Sequence, residues 1–200
     1  MLPTLAPTPR WDHKTNMVDL VRPSQSLDVT RLDALVHYVC VYAEDPTKLG
    51  ATKLNKTLWY SDVLAFIENG KSITGATYIK HQYGSVPDGI MASRYRLVQA
   101  GKIVERDANY FSYPQRQLIS LKRPDVSLFS SSEISIVDRI AATICDGHTA
   151  TSISRLTHDD VWQSAEIGEE IPLYAVLGTE FSEITADDMK WVMEQVPSLL

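Results

Sequence analysis

The sequence has 200 residues, of which 44% are hydrophobic and 22% are charged. This is the composition of a globular protein with a packed core, and it excludes a largely disordered chain and a membrane-spanning one. No apolar run approaches the roughly 20 residues that cross a bilayer. Prolines stand near the N-terminus, where a secretory signal would be apolar. We therefore expect a cytoplasmic protein that binds no membrane.

The formal net charge of −6 is distributed unevenly along the chain. Residues 146–200 contain eleven acidic and two basic residues, a charge of −9, which leaves +3 for residues 1–145. Nucleic-acid binding depends on lysine and arginine at the contact surface, so the acidic part disfavours it. An acidic surface either fits a basic protein partner or serves only solubility.

The first 27 residues differ from the rest of the chain. Four of the ten prolines lie there, and the apolar residues follow no regular period. Residues 1–27 are therefore predicted to be a Pro-rich N-terminal arm, in which Trp11 either docks onto the domain or contacts a partner. Residues 28–200 are predicted to form one domain with an acidic C-terminal part, 146–200.

Two amphipathic helices open the predicted domain. Asp28 is a plausible N-cap for a helix that ends before Pro46, because apolar residues then recur every three or four positions. A second helix is predicted over residues 52–69, with Gly70 as its left-handed cap. The apolar stripe of this second helix is wide, which predicts a central helix that packs on two sides.

The middle of the chain mixes helical and extended patterns. Residues 76–83 lie between two glycines and predict a short strand. A third helix is predicted over residues 87–99. Two further strands, 103–106 and 117–121, are predicted to pair across the polar and aromatic residues 109–114.

A capping box gives the clearest helix start in the chain. Ser130 is followed three residues later by Glu133, and the helix is predicted to continue to Gly147. Short helices are predicted over residues 150–156 and 159–167, and a last helix over 185–196, before Pro197. The sum is a mainly α (α+β) fold, a single helical domain of about six to seven helices with a small antiparallel β element.

Sequence patterns for chemistry are incomplete wherever they occur. Residues 70–72 read Gly-Lys-Ser, but a P-loop needs glycine where Ala65 stands. Cys145, His148 and His158 do not have the spacing of a metal site, and Cys145 lies on an apolar helix face. No nucleophile motif is present. We therefore predict that the protein is not an enzyme and needs no metal or cofactor.

Three large or charged residues in apolar segments have more than one interpretation. Asp62 falls inside the most apolar helix, so it needs a donor from Tyr78, Lys56 or a backbone N–H, and we predict a structural role for it. Trp59 and Trp162 serve either the core, which is the default for such residues, or an interface.

A helix-turn-helix is a further possibility for residues 134–158. Its second helix would contain one basic residue, Arg155, so DNA would be poorly attracted. Outside this element, the basic residues that would be tested for DNA binding are Lys53, Lys56, Lys71 and Lys80.

Several short motifs occur in an order that points to a known family. Residues 52–62 read Thr-Lys-Leu-Asn-Lys-Thr-Leu-Trp-Tyr-Ser-Asp, and Gly84-Ser85-Val86-Pro87 follows the predicted strand. Later parts are Leu156-Thr157-His158, Trp162 and the run from Gly168 to Pro172. Together these motifs resemble the Panacea domain, a phage-associated domain also called SocA-like antitoxin. The resemblance extends over residues 28–177; Ser85 replaces a usual proline, and Thr157 replaces a common serine.

The resemblance implies a mostly α fold and a role as the antitoxin of a toxin–antitoxin pair. Such a protein neutralises an unrelated toxin by direct contact, and the acidic C-terminal part predicts a basic face on that toxin. The alternatives are an adaptor that delivers a partner to a protease and a DNA-binding autorepressor. The candidate partner-binding residues are Trp59, Tyr83, Ser85, His158, Trp162, Glu169, Glu170, Asp187 and Asp188. The candidate structural residues are Lys53, Leu54, Lys56, Asp62, Tyr78 and Gly84.

Overall fold

The computed structural model describes residues 25–43, 45–110, 113–156, 158 and 160–178. Within these ranges the chain forms six α-helices and two antiparallel two-stranded sheets, which confirms the predicted mainly helical α+β fold. Most of the predicted arm and the predicted last helix lie outside the described residues. No helix of the described ranges is both long and apolar enough to cross a membrane.

The helices and strands are numbered in chain order. The helices are α1 (Val29–Tyr42), α2 (Ala51–Asn69), α3 (Ile90–Gln99), α4 (Ser131–Ala141), α5 (Ala150–Leu156) and α6 (Asp160–Ser164). The strands are β1 (Tyr78–His81), β2 (Gly84–Pro87), β3 (Ile103–Tyr110) and β4 (Tyr113–Ser120). Single turns of 3₁₀ helix cover Pro46–Lys48 and Leu173–Gly178, and a π-helical turn covers Ala142–Asp146.

The predicted helix ends are confirmed where they depend on local chemistry. The Asp28 carboxylate accepts a hydrogen bond of 3.0 Å from the Arg31 N–H, as an N-cap does. Gly70 ends α2 with a φ of 70°, in the left-handed region. The capping box of α4 is complete: the Glu133 N–H donates to Ser130 Oγ at 3.2 Å, and the Ser130 N–H donates to the Glu133 carboxylate at 2.8 Å.

Helix α2 is the centre of the fold. It contacts α1, α4 and β2, and its buried residues belong to two separate hydrophobic clusters, as its wide apolar stripe predicts. One hydrophobic cluster joins α1, α2, α3 and α4 to the inner residues of β3 and β4. Its fully buried members include Leu32, Leu35, Val36, Val39, Leu54, Leu58, Ile103 and Leu118.

A second, smaller cluster lies on the other side of α2. Trp59 and Val63 of α2 pack there with Tyr78 of β1, Val161 of α6 and Ile171. This cluster attaches the β1–β2 hairpin and the C-terminal part of the described chain to the central helix.

The predictions for residues 84–90 and for the second hairpin are wrong in extent. Residues 84–87 form β2, paired with β1 from Tyr78↔Pro87 to His81↔Gly84, and α3 begins only at Ile90. Strands β3 and β4 continue from Ile103↔Ser120 to Tyr110↔Tyr113, through most of the segment predicted to join them. Helix α4 ends at Ala141 and continues as the π-helical turn, and α6 is shorter than the predicted helix 159–167.

Candidate functional site

The β1–β2 hairpin is fixed to α2 by a buried carboxylate. Asp62 is fully buried, and one of its oxygens accepts from the N–H groups of Ile73 and Thr74 at 2.8 and 3.0 Å. The other oxygen accepts from the Tyr78 hydroxyl at 2.8 Å and from the Thr74 hydroxyl. Tyr78 also meets the ring of Trp59 edge-on, with 4.9 Å between the ring centroids. Asp62 thus holds the start of β1 against the helix.

Burial sets the protonation preferences of this cluster. It raises the pKa of the Asp62 carboxyl, and the hydrogen bonds from Thr74, Tyr78 and Ile73 oppose the rise. Burial and the neighbouring Asp62 also raise the pKa of the Tyr78 hydroxyl well above its usual value. Both effects favour the protonated forms, so the cluster fits the structural role predicted for Asp62.

The hairpin approaches α2 so closely that β2 must begin with glycine. Gly84 has a φ of 125°, and a Cβ atom built on it would lie 1.8 Å from Nζ of Lys56. The Lys56 side chain is only 1% exposed. Gly84 therefore lets the hairpin backbone lie directly on the lysine.

Two buried lysines cap the ends of helical turns that are distant in sequence. Lys53 Nζ donates at 3.0 Å to the carbonyl of Cys145 in the π-helical turn. Lys80 Nζ donates at 2.8 Å to the carbonyl of Ala165, just after α6. A cation at the C-terminal end of a helix satisfies carbonyls that have no partner within the helix. Burial also lowers the pKa of Lys53.

These positions correct one interpretation of the sequence. Lys53, Lys56 and Lys80 were considered as part of a basic cluster for DNA, together with Lys71. The structure buries the first three and exposes Lys71. Three of the four lysines therefore offer no basic surface to nucleic acid.

Trp162 of α6 lies against the outer edge of the hairpin. Its indole N–H donates to the carbonyl of His81 at 3.2 Å, and Lys80 Nζ lies 3.9 Å from the centroid of its ring. The imidazole of His158 stacks on the same indole at 3.8 Å. Trp162 is partly exposed, so the aromatic pair of Trp162 and His158 contributes to the surface beside the hairpin.

Residues 168–171 extend the hairpin by one strand-like segment. The Gly168 N–H donates to the Lys80 carbonyl at 2.9 Å, the Lys80 N–H to the Glu169 carbonyl at 2.8 Å, and the Ile171 N–H to the Tyr78 carbonyl at 2.7 Å. An antiparallel bridge pairs Ile79 with Glu170. The backbone that carries the two glutamates is therefore rigid.

We call the surface formed by these elements the hairpin face. Its side chains are exposed or partly exposed, and they come from the end of β1, from the β1–β2 turn, from α6 and from the segment that follows α6. Its members are His81, Tyr83, Trp162, Ile167, Glu169 and Glu170.

Comparison with known families identifies the protein. The family model described as "Antitoxin SocA-like, Panacea domain" matches residues 54–163, which is more than half of the chain. The chain belongs to the SocA-like antitoxin family. No curated protein and no solved structure matches it.

The match places the Panacea domain within the fold. It runs from the first turns of α2 to α6 and so includes both hairpins, whereas the sequence resemblance extended over residues 28–177. Helix α1 supplies much of the core but lies outside the match. Residues 168–171 also lie outside it, although they pair with β1 inside it.

Within this Panacea protein, the predicted partner-binding residues occupy different environments. Tyr83, Glu169 and Glu170 are exposed, and His158 and Trp162 are partly exposed. Trp59 and Ser85 are each only 4% exposed, so they have core positions and offer no surface to a partner. Asp187 and Asp188 lie outside the described residues. The six predicted structural residues, Lys53, Leu54, Lys56, Asp62, Tyr78 and Gly84, are all buried.

The sequence analysis missed some contributors to the site. The sequence predicts Lys80 only as a basic residue to test for DNA binding, and Ile167 only as the last residue of the predicted helix 159–167. The signal for Lys80 is its position two residues after Tyr78 in the predicted strand, because alternate side chains of a strand point to the same face. Among the residues that the structure describes, no three His, Cys, Asp or Glu side chains are placed to hold a metal ion. Both cysteines, Cys40 and Cys145, are buried free thiols.

Proposed function

We propose that the protein is the antitoxin of a toxin–antitoxin pair and that it neutralises a co-encoded toxin by direct contact through the hairpin face. Membership of the SocA-like antitoxin family supports the role. The location is supported by an exposed surface of aromatic and acidic side chains. The backbone beneath this surface is held by hydrogen bonds at both edges of β1, to β2 on one edge and to residues 168–171 on the other.

The side chains of the hairpin face have the character of an interface. Tyr83 is 63% exposed and Ile167 is 65% exposed, and the partly exposed Trp162 donates from its indole N–H to the His81 carbonyl of the hairpin. Aromatic residues are enriched in protein interfaces and supply much of the binding energy when a partner buries them. Because this backbone is already ordered, binding would lose little conformational entropy.

The charge of the face favours a basic partner. Glu169 and Glu170 of the hairpin face are exposed, and Glu166 is exposed in the turn beside the face. The Glu169 carboxylate is oriented by the Glu166 N–H, which donates to it at 2.7 Å. Toxins that act on RNA or nucleotides commonly carry a basic active-site surface, and an acidic face would be attracted to it and cover it.

Co-expression tests this function directly. The protein should restore growth to cells that express the toxin encoded by the neighbouring gene, and the two proteins should co-purify. Loss of Tyr83 (Tyr83→Ala) should weaken toxin binding by roughly tenfold or more, because it removes an exposed aromatic anchor. The matched control is Tyr113→Ala at the tip of the β3–β4 hairpin, where the tyrosine is 76% exposed.

Each result has a defined meaning. If the full chain neither binds nor neutralises a toxin from the adjacent gene, the antitoxin function is wrong. If Tyr113→Ala weakens binding and Tyr83→Ala does not, the location is wrong. Growth rescue that disappears in a protease-deficient strain would indicate an adaptor. Binding to its own promoter that weakens steeply with salt would indicate an autorepressor.

A further inference from the structure

A groove of about 370 Å³ opens beside the hairpin face. One wall is the segment 75–77 that leads into β1, and the other is the segment 169–174. Tyr78, Ala76 and Ile171 form a buried apolar floor. Glu169 and Glu170 line the rim and are exposed. The groove therefore has apolar side chains in its lining and two glutamates at its rim.

Hydrogen bonds within the fold hold the walls of the groove. Tyr78 is held by Asp62 on one side, and its carbonyl accepts from the Ile171 N–H on the other. At one end the Gln25 side-chain amide donates to the Ser72 carbonyl at 2.9 Å and accepts from the Ser72 N–H at 3.1 Å. A site with preformed walls loses little free energy to reorganisation when it is filled.

The size and charge of the groove limit what can occupy it. Its volume is near the lower end of the range for small-ligand pockets, about 300 to 1,000 Å³, so it has room for one or two side chains but not for a whole helix. The apolar floor requires an apolar group. The carboxylates of Glu169 and Glu170 would repel phosphate and attract a cation.

We propose that the groove binds a short segment of the toxin in which one large apolar side chain is flanked by lysine or arginine. The apolar side chain packs against the partly exposed apolar lining residues Phe66, Leu173 and Tyr174, and the basic neighbour pairs with Glu170 at the rim. This proposal rests on the proposed antitoxin function, and it names the part of the partner that this site recognises.

Site-specific photo-crosslinking tests the occupant. Thr77 is an exposed residue of the groove wall, so p-benzoylphenylalanine placed there, in the full chain bound to the toxin, should crosslink to a toxin peptide with that composition. The same probe at Tyr113, on the other hairpin, is the control and should not crosslink to that peptide. Capture of residues 1–24 of the antitoxin, of a second copy, or of no toxin peptide in an intact complex would overturn the proposal.

Charge reversal at the rim gives a second, independent measurement. Glu170→Lys should weaken toxin binding at low salt by more than tenfold, because it places a like charge against the basic neighbour. Glu170→Gln should have a smaller effect. The control is Asp107→Lys, which alters an exposed carboxylate on β3 whose ion pair with Arg116 lies at the surface.

The two proposals fail in different ways. If the toxin binds and Glu170→Lys binds as tightly as the unchanged protein, the groove proposal is wrong while the antitoxin function stands. If the full chain does not bind the toxin at all, both are wrong. Circular dichroism of each variant shows whether the fold is retained.

Discussion

Removal of the Asp62 carboxylate should release the hairpin from α2. In Asp62→Ala the N–H groups of Ile73 and Thr74 lose their buried acceptor, and the hydroxyls of Thr74 and Tyr78 lose theirs. An unsatisfied buried donor costs about 1 to 3 kcal/mol. The hydroxyls can turn toward other acceptors, so we count only the two backbone groups, which gives a loss of about 2 to 6 kcal/mol.

Asp62→Asn separates the geometry of this site from its charge. The amide oxygen can still accept from the two backbone N–H groups. The amide nitrogen can donate to the hydroxyls of Thr74 and Tyr78, because both hydroxyls rotate. Asp62→Asn should therefore be far milder than Asp62→Ala. A loss of about 4 kcal/mol in the alanine variant would lower the Tm by roughly 8 to 16 °C for a protein of this size.

The pH dependence of unfolding tests the direction of the Asp62 pKa shift. Burial raises this pKa in the folded protein, so just above the usual carboxyl pKa the folded state keeps a proton that the unfolded state has released. The stability contributed by Asp62 is then full below the unfolded pKa and is lost as the pH rises through the folded one. Urea unfolding should show Asp62→Asn gaining stability relative to the unchanged protein over that window.

Two results would refute this reasoning. If Asp62→Asn lowers the free energy of unfolding as much as Asp62→Ala does near neutral pH, the site depends on the negative charge of the carboxylate and not on the arrangement of its acceptors. If the unchanged protein gains stability relative to Asp62→Asn as the pH rises, the folded state prefers the carboxylate. Toxin binding by Asp62→Ala should also weaken, because the hairpin face is built on β1.

Three further predictions concern single positions. In urea titrations, Gly84→Ala should lower the free energy of unfolding by more than about 2 kcal/mol, because the added Cβ would overlap the buried Lys56 side chain. The control is Gly147→Ala, which should change this free energy by less than about 0.5 kcal/mol because no atom of the described residues lies close to the added Cβ. Ser130→Ala should cost about 1 kcal/mol in the same assay through loss of the capping box. Burial raises the pKa of Cys40 to about 12 and also raises the pKa of Cys145. Alkylating reagents at pH 8 should therefore label both thiols only after unfolding, and labelling of the folded protein would contradict this.

Local signals in the sequence predicted the helices well. The start of α4 depends on Ser130 and Glu133, which lie three residues apart and form their two hydrogen bonds without help from the rest of the chain. The end of α2 depends on Gly70 alone, which adopts a backbone conformation that other residues rarely do. Such features are determined by neighbouring residues, and so they can be predicted from them.

The strands were harder to predict because their partners are distant or their faces are polar. The outer half of β3 and β4 contains exposed charged residues, and Asp107 and Arg116 stabilise it only once the register brings them together. Strand β2 has only four residues and begins with Gly84, a residue that local sequence rules assign to a turn. The position of Gly84 is explained only by its close contact with Lys56, which is distant in sequence. Local propensity carries little information about either case.

The sequence predicted the chemical character of the candidate site better than the positions of its residues. The exposed acids Glu169 and Glu170 follow from the charge count, and the buried role of Asp62 follows from the cost of an unpaired carboxylate in an apolar helix. The burial of Ser85 depends on how the hairpin lies on α2, and the hydrogen-bond partner of Lys80 depends on the position of α6. Neither can be obtained from the neighbouring residues.

The capping of distant helical turns by Lys53 and Lys80 has a consequence for the order of folding. Their carbonyl partners, at Cys145 and Ala165, are 92 and 85 positions away along the chain. Contacts across such separations form late, because a long loop must close before the contact contributes. Lys53 and Lys80 can therefore cap these turns only after the long intervening loops have closed. Under the proposed function, a nascent or partly unfolded chain would lack the hairpin face, so toxin neutralisation would require the fully folded protein.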